Sequence, residues 1–278
     1  MMGILYLVAT PIGNLEDITS RALRILQQAP LIAAEDTRQT RKLLQHYGIY
    51  TRTTSYHEHN KRSKMAQLLQ ALEAGDLALV SDAGTPALND PGFELVKAAL
   101  AAGHQVRPIP GPSAPVAALV ASGLPTDSFL YLGYLARKSA DRRKQLEEVA
   151  RLPYTLVFLE TPHRLLGSLE DLEDILGDRE IAVARELTKV HEEIYRGRIN
   201  AARDHFQEQS PRGEFTLVIA GHAEEAEVWS REQVTRAVKE GLDGKLPASQ
   251  LASQLASESG WPKKEVYRLV VALQKGRP

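Results

Sequence analysis

Between Ile4 and about Gly123 the apolar positions fall into short runs, "ILYLVAT", "PLIAAED", "LALVSDAG" and "HQVRPIPG". Between them lie "SRALRILQQA", "RSKMAQLLQALEAG" and "FELVKAALAAG", whose apolar residues recur at helical spacing. A run of four to eight apolar residues suits a strand covered on both faces, and strands that alternate with helices need crossover connections. The pattern predicts an α/β domain over residues 1–123, built on a largely parallel sheet. Helix-end signals agree. Asp17 or Thr19 can cap a helix beginning near Ser20, Gly75 and Gly103 sit where a C-terminal glycine belongs, and Asn89 and Asp90 before Pro91 suit a helix start.

The pattern restarts after "ASGLPTDSFLYLGYL" with "YTLVFLET", "EIAVARELT", "EEIYRGRI" and "GEFTLVIAG". These runs are longer and more alternating, and only "RLLGSLEDLEDILG" and "INAARDHFQ" read clearly as helices between them. A second, mixed-sheet α/β domain with antiparallel pairing is expected over 124–222. Three helical patterns follow, "REQVTRAVKEGL", "PASQLASQLASESG" and "PKKEVYRLVVALQKG", and predict a small helical extension over 223–278. Its last helix carries Val266, Leu269, Val270 and Leu273 on one face beside Lys263, Lys264, Arg268 and Lys275. The "SGWPKK" junction has the form of a helix-turn-helix turn, which also joins packed helices in proteins that touch no nucleic acid.

Composition narrows the classes. With 278 residues and 43% apolar content the chain can supply two cores. It contains no cysteine, so disulfides, thiolate nucleophiles and cysteine-ligated metals are excluded, and a reducing compartment, the cytoplasm, is expected. Its net charge of −1 gives no global positive field, so a nucleic-acid partner would have to be met by a local patch. The apolar amino-terminal run breaks at Pro11, short of the roughly 20 residues that span a bilayer, and reads as a buried first strand with no membrane role.

Candidate chemistry gathers where strands are expected to end. "VATPIGNLEDIT" follows the first strand but lacks GxGxxG, which argues against a nicotinamide site. In "LVSDAGTPALNDPG" an acid, Asp82, ends a buried run, and Ala83, Gly84 and Thr85 leave main chain open to a ligand. No Walker lysine accompanies them. A second small-residue turn, "PIPGPSAP", places Ser113 and Ala114 at a helix start, so the two turns can share one crevice. His57 and His59 stand two apart on a strand-like segment, but no third ligand accompanies them and no metal site is expected.

Together "VATPIGNLEDIT", "AAEDTRQTRKLL", "SYHEHN", "SDAGTP", "PGPSA", "FLETPHR", "ARELTKVHEE" and "GEFTLVI" resemble, in order and spacing, the tetrapyrrole-methylase superfamily over roughly residues 3–222. "FLETPHR" and "AAEDTR" resemble the branch that methylates the ribose 2′-hydroxyl of a cytidine in small-subunit (16S) ribosomal RNA. The helical tail is similar to that branch's extension. The resemblance implies two α/β domains with S-adenosylmethionine (SAM) in the cleft between them, a homodimer, and 16S ribosomal RNA in the small subunit as partner. Carried over by motif, Pro11, Ile12 and Gly13 match the first cofactor loop, reduced here to one glycine. Asp82, Gly84, Thr85 and Leu88 match the second, and Ser113 and Ala114 the third. Leu159, Ala184, Phe215 and Thr216 fall where relatives close over the adenosine.

A ribose hydroxyl is a poor nucleophile near neutral pH, so a proton acceptor or a cation beside the developing alkoxide is useful. Glu35 and Asp36 are the candidate acceptors, although Asp36 before Thr37 is also a normal helix cap. Arg38, Arg41 and Lys189 are candidates for holding phosphate or alkoxide, with His163 and Arg164 from "FLETPHR". Arg164 can equally pair with a nearby acid. Basic segments at Arg137 to Lys144 and Lys263 to Arg277 would add local attraction, or serve as solvated helix faces. Two other readings remain: a methyltransferase of the same fold acting on a tetrapyrrole, and a ribosome-associated protein that keeps the pocket without turnover.

Overall fold

Five strands, β1 (Ile4–Val8), β2 (Leu31–Ala34), β3 (Thr53–Ser55), β4 (Leu77–Val80) and β5 (Gln105–Ile109), form a wholly parallel sheet in the order β3-β2-β4-β1-β5. The computed structural model describes residues 3–223, 229–242 and 246–275. The connecting helices are α1 (Ser20–Gln28), α2 (Thr37–His46), α3 (Lys61–Ala74) and α4 (Phe93–Ala101). β4 shows why the sheet needs two covers. Ala78 and Val80 pack with Leu26 of α1 and Leu44 of α2, whereas Leu77 and Leu79 pack with Leu68 and Leu72 of α3 and Leu95 of α4. Period-two alternation of an all-apolar strand buries both faces. Thr19 caps α1, its hydroxyl accepting from the Ala22 N–H at 3.1 Å, and Asp36 caps α2.

A second sheet contains β6 (Phe129–Tyr134), β7 (Thr155–Glu160), β8 (Glu180–Arg185), β9 (Glu193–Arg198) and β10 (Phe215–Ile219) in the order β6-β7-β10-β8-β9. Only the β6–β7 pair is parallel; the other three pairs are antiparallel. One face is covered by α6 (Ser139–Val149), α7 (Leu165–Leu176) and α8 (Ile199–Glu208), through Leu146, Leu169, Leu172 and Phe206. The other is covered by α5 (Ala114–Ser122), whose Ala118 and Leu119 pack on Val157, Ala182, Ala184 and Val218. The helix that follows the first sheet's last strand therefore seats on the second sheet. It ties the two sheets into one compact unit, Met1–Gly221.

His222–Pro278 is a separate unit. There α9 (Arg231–Gly241), α10 (Ala248–Ser259) and α11 (Lys263–Lys275) bury Val234, Val238, Leu251, Leu255, Val266 and Val270 together. Ser230 and Gln233 close a capping box on α9, and the Trp261 indole N–H donates to the Trp229 carbonyl at 2.6 Å. Lys263, Lys264 and Arg268 are exposed, while Arg277 lies outside the described residues.

This is the α/β class with a helical extension that the pattern predicts. One of the charged runs has a further role that its pattern did not suggest. "SADRRKQLEEV" forms α6, and within it Arg142 is buried against Asp171 at 2.5 Å while Arg143 holds Asp171 and Asp174 at 3.0 and 2.8 Å. Two cations of the Arg137 to Lys144 segment thus pin α6 to α7.

Candidate active site

β1 and β4 are neighbours whose chains leave in opposite directions, since β2 and β3 lie beyond β4 while β5 lies beyond β1. Loops diverging at such a switch point leave a crevice at the carboxyl ends of the strands. The two loops are zipped by a short bridge: the Thr10 N–H donates to the Gly84 carbonyl at 2.9 Å and the Gly84 N–H to the Thr10 carbonyl at 3.0 Å. Gly84 sits at φ +76°, and a Cβ there would meet the Ile12 side chain at 3.4 Å. Ala87 and Asn89 also have positive φ, 67° and 64°. Left-handed non-glycine backbone is costly, and here it is held on both sides of Leu88, which lines the crevice.

The second sheet supplies the facing wall. β6 carries a bulge between Tyr131 and Tyr134, with Gly133 at φ +67° packed so closely on Asn89 that a Cβ would lie 2.3 Å from its amide nitrogen. Residues three apart on a regular strand point to opposite faces. The extra residue of the bulge lets both tyrosines line the same crevice. Leu159, Glu160, Glu214, Phe215 and Thr216 complete the wall around a cavity of about 230 Å³.

Carboxylates dominate its polar lining. The Asp82 N–H donates to Glu35 at 3.3 Å, and Asp82 in turn accepts the Asp36 N–H at 3.0 Å. Burial pushes Glu35 up from its ordinary value, against the hydrogen bond from Asp82, and burial does the same to Asp82. Asp90 is pushed up to about 6, first by burial and then by the charge of Glu35, against a hydrogen bond from Ser81. A crevice in which carboxylates resist ionisation is one that a cation would relieve.

Of the residues expected from sequence, Ile12, Glu35, Asp82, Gly84, Thr85, Leu88, Ser113, Ala114, Leu159, Phe215 and Thr216 line this cavity. Ala184 and Lys189 line a small adjoining one with Ile12, Ala114 and Thr216. Gly13 packs instead on the loop after β8, where a Cβ would lie 2.7 Å from the Leu187 carbonyl, and Pro11 lines neither cavity. Arg41 is an exposed residue of α2.

Four of the expected polar residues are engaged by other groups. Asp36 does not line the crevice; hydrogen bonds from the Arg38 side chain and N–H hold it down to about 2, which makes it a helix cap and a weak base. Arg38 is committed to that carboxylate at 2.6 Å. The Arg164 guanidinium is bound to Glu160, which also accepts from Ser168 at 2.6 Å and from the Thr161 N–H at 2.7 Å, so it is a structural cation rather than a free phosphate ligand. Lys189 is likewise engaged, with Glu186 at 2.8 Å and Glu214 at 3.5 Å. His163 remains exposed beside a second cavity with Tyr134 and Arg137.

Sequence reasoning missed Asp90, Tyr131, Tyr134, Glu160 and Glu214 as crevice residues. Asp90 carried only a helix-start signal, and the tyrosines are aligned by a bulge that strand alternation does not reveal. Among the described residues no group of three or more His, Asp or Glu side chains could hold a metal ion. His57 instead meets the Asn60 amide at 3.2 Å.

Two sheets clasping a crevice at a switch point make a fold shared with solved methyltransferases. A uroporphyrin-III C-methyltransferase from Thermus thermophilus, complexed with S-adenosylhomocysteine (SAH), matches 78% of this chain and 97% of its own, at 23% identity and a TM-score of 0.54. The family model for tetrapyrrole (corrin/porphyrin) methylases matches residues 4–202. A ribosomal RNA small subunit methyltransferase I from Synechocystis is 49% identical over 98% of this chain and 99% of its own length. That of Halalkalibacterium halodurans is 47% identical, over 96% and 94%. The chain belongs to the tetrapyrrole methylase family and, within it, to the group of ribosomal RNA small subunit methyltransferases I. It is an enzyme of the methyltransferase class.

Proposed function

We propose that this enzyme transfers a methyl group from SAM to the ribose 2′-hydroxyl of a cytidine in 16S ribosomal RNA of the small subunit. The observation that carries the reading is the acid-lined crevice with open main chain at Gly84. SAM bears a sulfonium and an ammonium, which Asp82, Asp90, Glu35 and Glu214 complement, and the neutral demethylated product gains less from them. Pro11, Ile12 and Gly13 form the first wall of the donor site, Asp82, Gly84, Thr85 and Leu88 the second, and Ser113 and Ala114 the third. Leu159, Ala184, Phe215 and Thr216 close over the nucleoside.

When bound, SAM supplies a methyl activated by a positive sulfur. The residues of the chain then have two tasks. One is to hold the hydroxyl in line with that methyl, which supplies much of the acceleration. The other is to take the hydroxyl proton. Glu35, which lines the crevice, is a candidate for this, and Asp90, half-ionised near pH 6, is tuned closer to a working base. Phosphates are repelled by the crevice, so the RNA is held at the rim by Arg41 and His163, with Lys189 balancing the carboxylates beside it. The chain works as three parts, 1–123, 124–222 and 223–278, in a cytoplasmic homodimer. No helix among the described residues is long and apolar enough to cross a membrane.

Tritium transfer from labelled SAM to small subunits isolated from cells lacking the protein tests the reading. The expected product is one ribose-methylated cytidine, located by alkaline-resistant linkage mapping. Label on a corrinoid precursor but not on subunits, or on a base instead of a ribose, would overturn it.

A further inference from the structure

Beside the acid-lined crevice lies a second cavity of about 680 Å³, whose lining includes Tyr134, Arg137, Thr161 and His163. Tyr134 lines both cavities. Tyr134 is 48% exposed, and the bulge at Gly133 is what turns it there. The neighbouring cations differ in availability. Arg164 is spent on Glu160, whereas Arg137 is exposed and has no ion pair among the described residues. His163 is also exposed, its Nε2 3.5 Å from the Thr161 hydroxyl.

We propose that Tyr134, Arg137 and His163 form the subsite that receives the target nucleotide, resting on the RNA-methylation reading above. An unpaired base stacks on the Tyr134 ring, while its flanking phosphates lie against Arg137 and His163. Three features favour a nucleotide of this kind. A ribose hydroxyl inside a helix is hard to bring in line with a donor, so the nucleotide must be splayed out, and splayed bases are held by stacking on aromatic side chains. A ring shared by two cavities puts the base in one and its sugar at the mouth of the other. The charge pattern also sorts the ligands: the carboxylate crevice suits the cationic donor, and the Arg137 side suits the polyanion.

Methyl transfer to small subunits from cells lacking the protein, measured with the full chain, tests the subsite, with SAH calorimetry as the control for folding and donor binding. Tyr134→Ala is expected to lower kcat/KM for subunits about tenfold or more, with the SAH Kd within about threefold of wild type. Tyr134→Phe, which keeps the ring, should stay within about threefold in both. Arg137→Ala should raise KM and make the salt dependence shallower by about one phosphate contact. Wild-type kcat/KM in Tyr134→Ala would overturn the subsite alone, as would an equal loss of SAH affinity, which would make Tyr134 a donor-site wall. Failure of the wild-type protein to label subunits at all would overturn the methylation reading, and the subsite with it.

Discussion

Asp90 stands in the Gly84 loop between Asn89, with its left-handed backbone, and Pro91, and it shares the crevice with Glu35 and Asp82. Burial raises its pKa to about 6, so ionising it in the folded chain costs free energy that the unfolded chain does not spend. Its contribution to stability is therefore complete below the ordinary carboxylate value and is lost as pH rises through about 6. Asp90→Asn should raise the thermal midpoint at pH 7.5 relative to wild type and give no gain at pH 4, read by scanning fluorimetry. The same change removes a charge facing the donor. Calorimetry at pH 7.5 should find SAM bound about tenfold more weakly, ~1.4 kcal/mol, with SAH little affected. In the wild type, the preference for SAM over SAH should grow between pH 5 and 7.5. A variant that binds both nucleosides as wild type does would remove Asp90 from the site. None of this was legible in "NDPG", whose letters signal a turn; the acid acquires its role from burial by chain far away in sequence.

At the scale of elements, legibility followed the apolar pattern. Strand β4 is an unbroken buried apolar run, α1 is capped by Thr19, and α3 turns Leu68 and Leu72 into the core, so local sequence and tertiary packing agree. Helices α2 and α6 are mostly charged outside and were harder to see, and three-residue β3 is too short to alternate. The α6–α7 contact shows what such charges can do. Asp171, nearly buried, accepts from Ser139 at 2.9 Å and from Arg142 and Arg143. Burial works against its ionisation, but the hydrogen bonds from Ser139, Arg143 and Arg142 prevail and its pKa is lowered. The stability this confers is present above the ordinary carboxylate value and is lost as pH falls. Asp171→Ala would leave the Arg142 guanidinium buried without a counter-ion, and chemical denaturation should show a loss of about 3 kcal/mol. Arg142→Met should cost less, because the charge leaves with its partner still hydrogen-bonded to Ser139 and Arg143. Equal losses in the two variants would mean that packing, not the unpaired charge, sets the penalty.

For the whole molecule, the division at residue 221 separates the chemistry from the extension. Among the described residues, every strand, every crevice residue and the α5 tie between the sheets lie in Met1–Gly221. The T. thermophilus methyltransferase matches 78% of this chain with 97% of its own, so the shared fold is complete in a protein of roughly that shorter length. The tail buries its own apolar residues, including Val238, Leu251 and Val270, in a core built by α9, α10 and α11 with Trp229 and Trp261 packed against it. Each unit therefore satisfies the first requirement for independent folding, a contiguous core of its own. A chain ending at Gly221 is expected to unfold cooperatively and to bind SAH with a Kd within about threefold of the full protein. The exposed Lys263, Lys264 and Arg268 then become testable as a group. If they meet RNA, the truncated enzyme should keep kcat on small subunits and show a KM raised several-fold at low salt, with the difference shrinking as salt rises because it rests on phosphate contacts. A truncated chain that loses SAH affinity would show that the extension supports the donor site, and one with unchanged KM at every salt would leave those lysines as a solvated helix face.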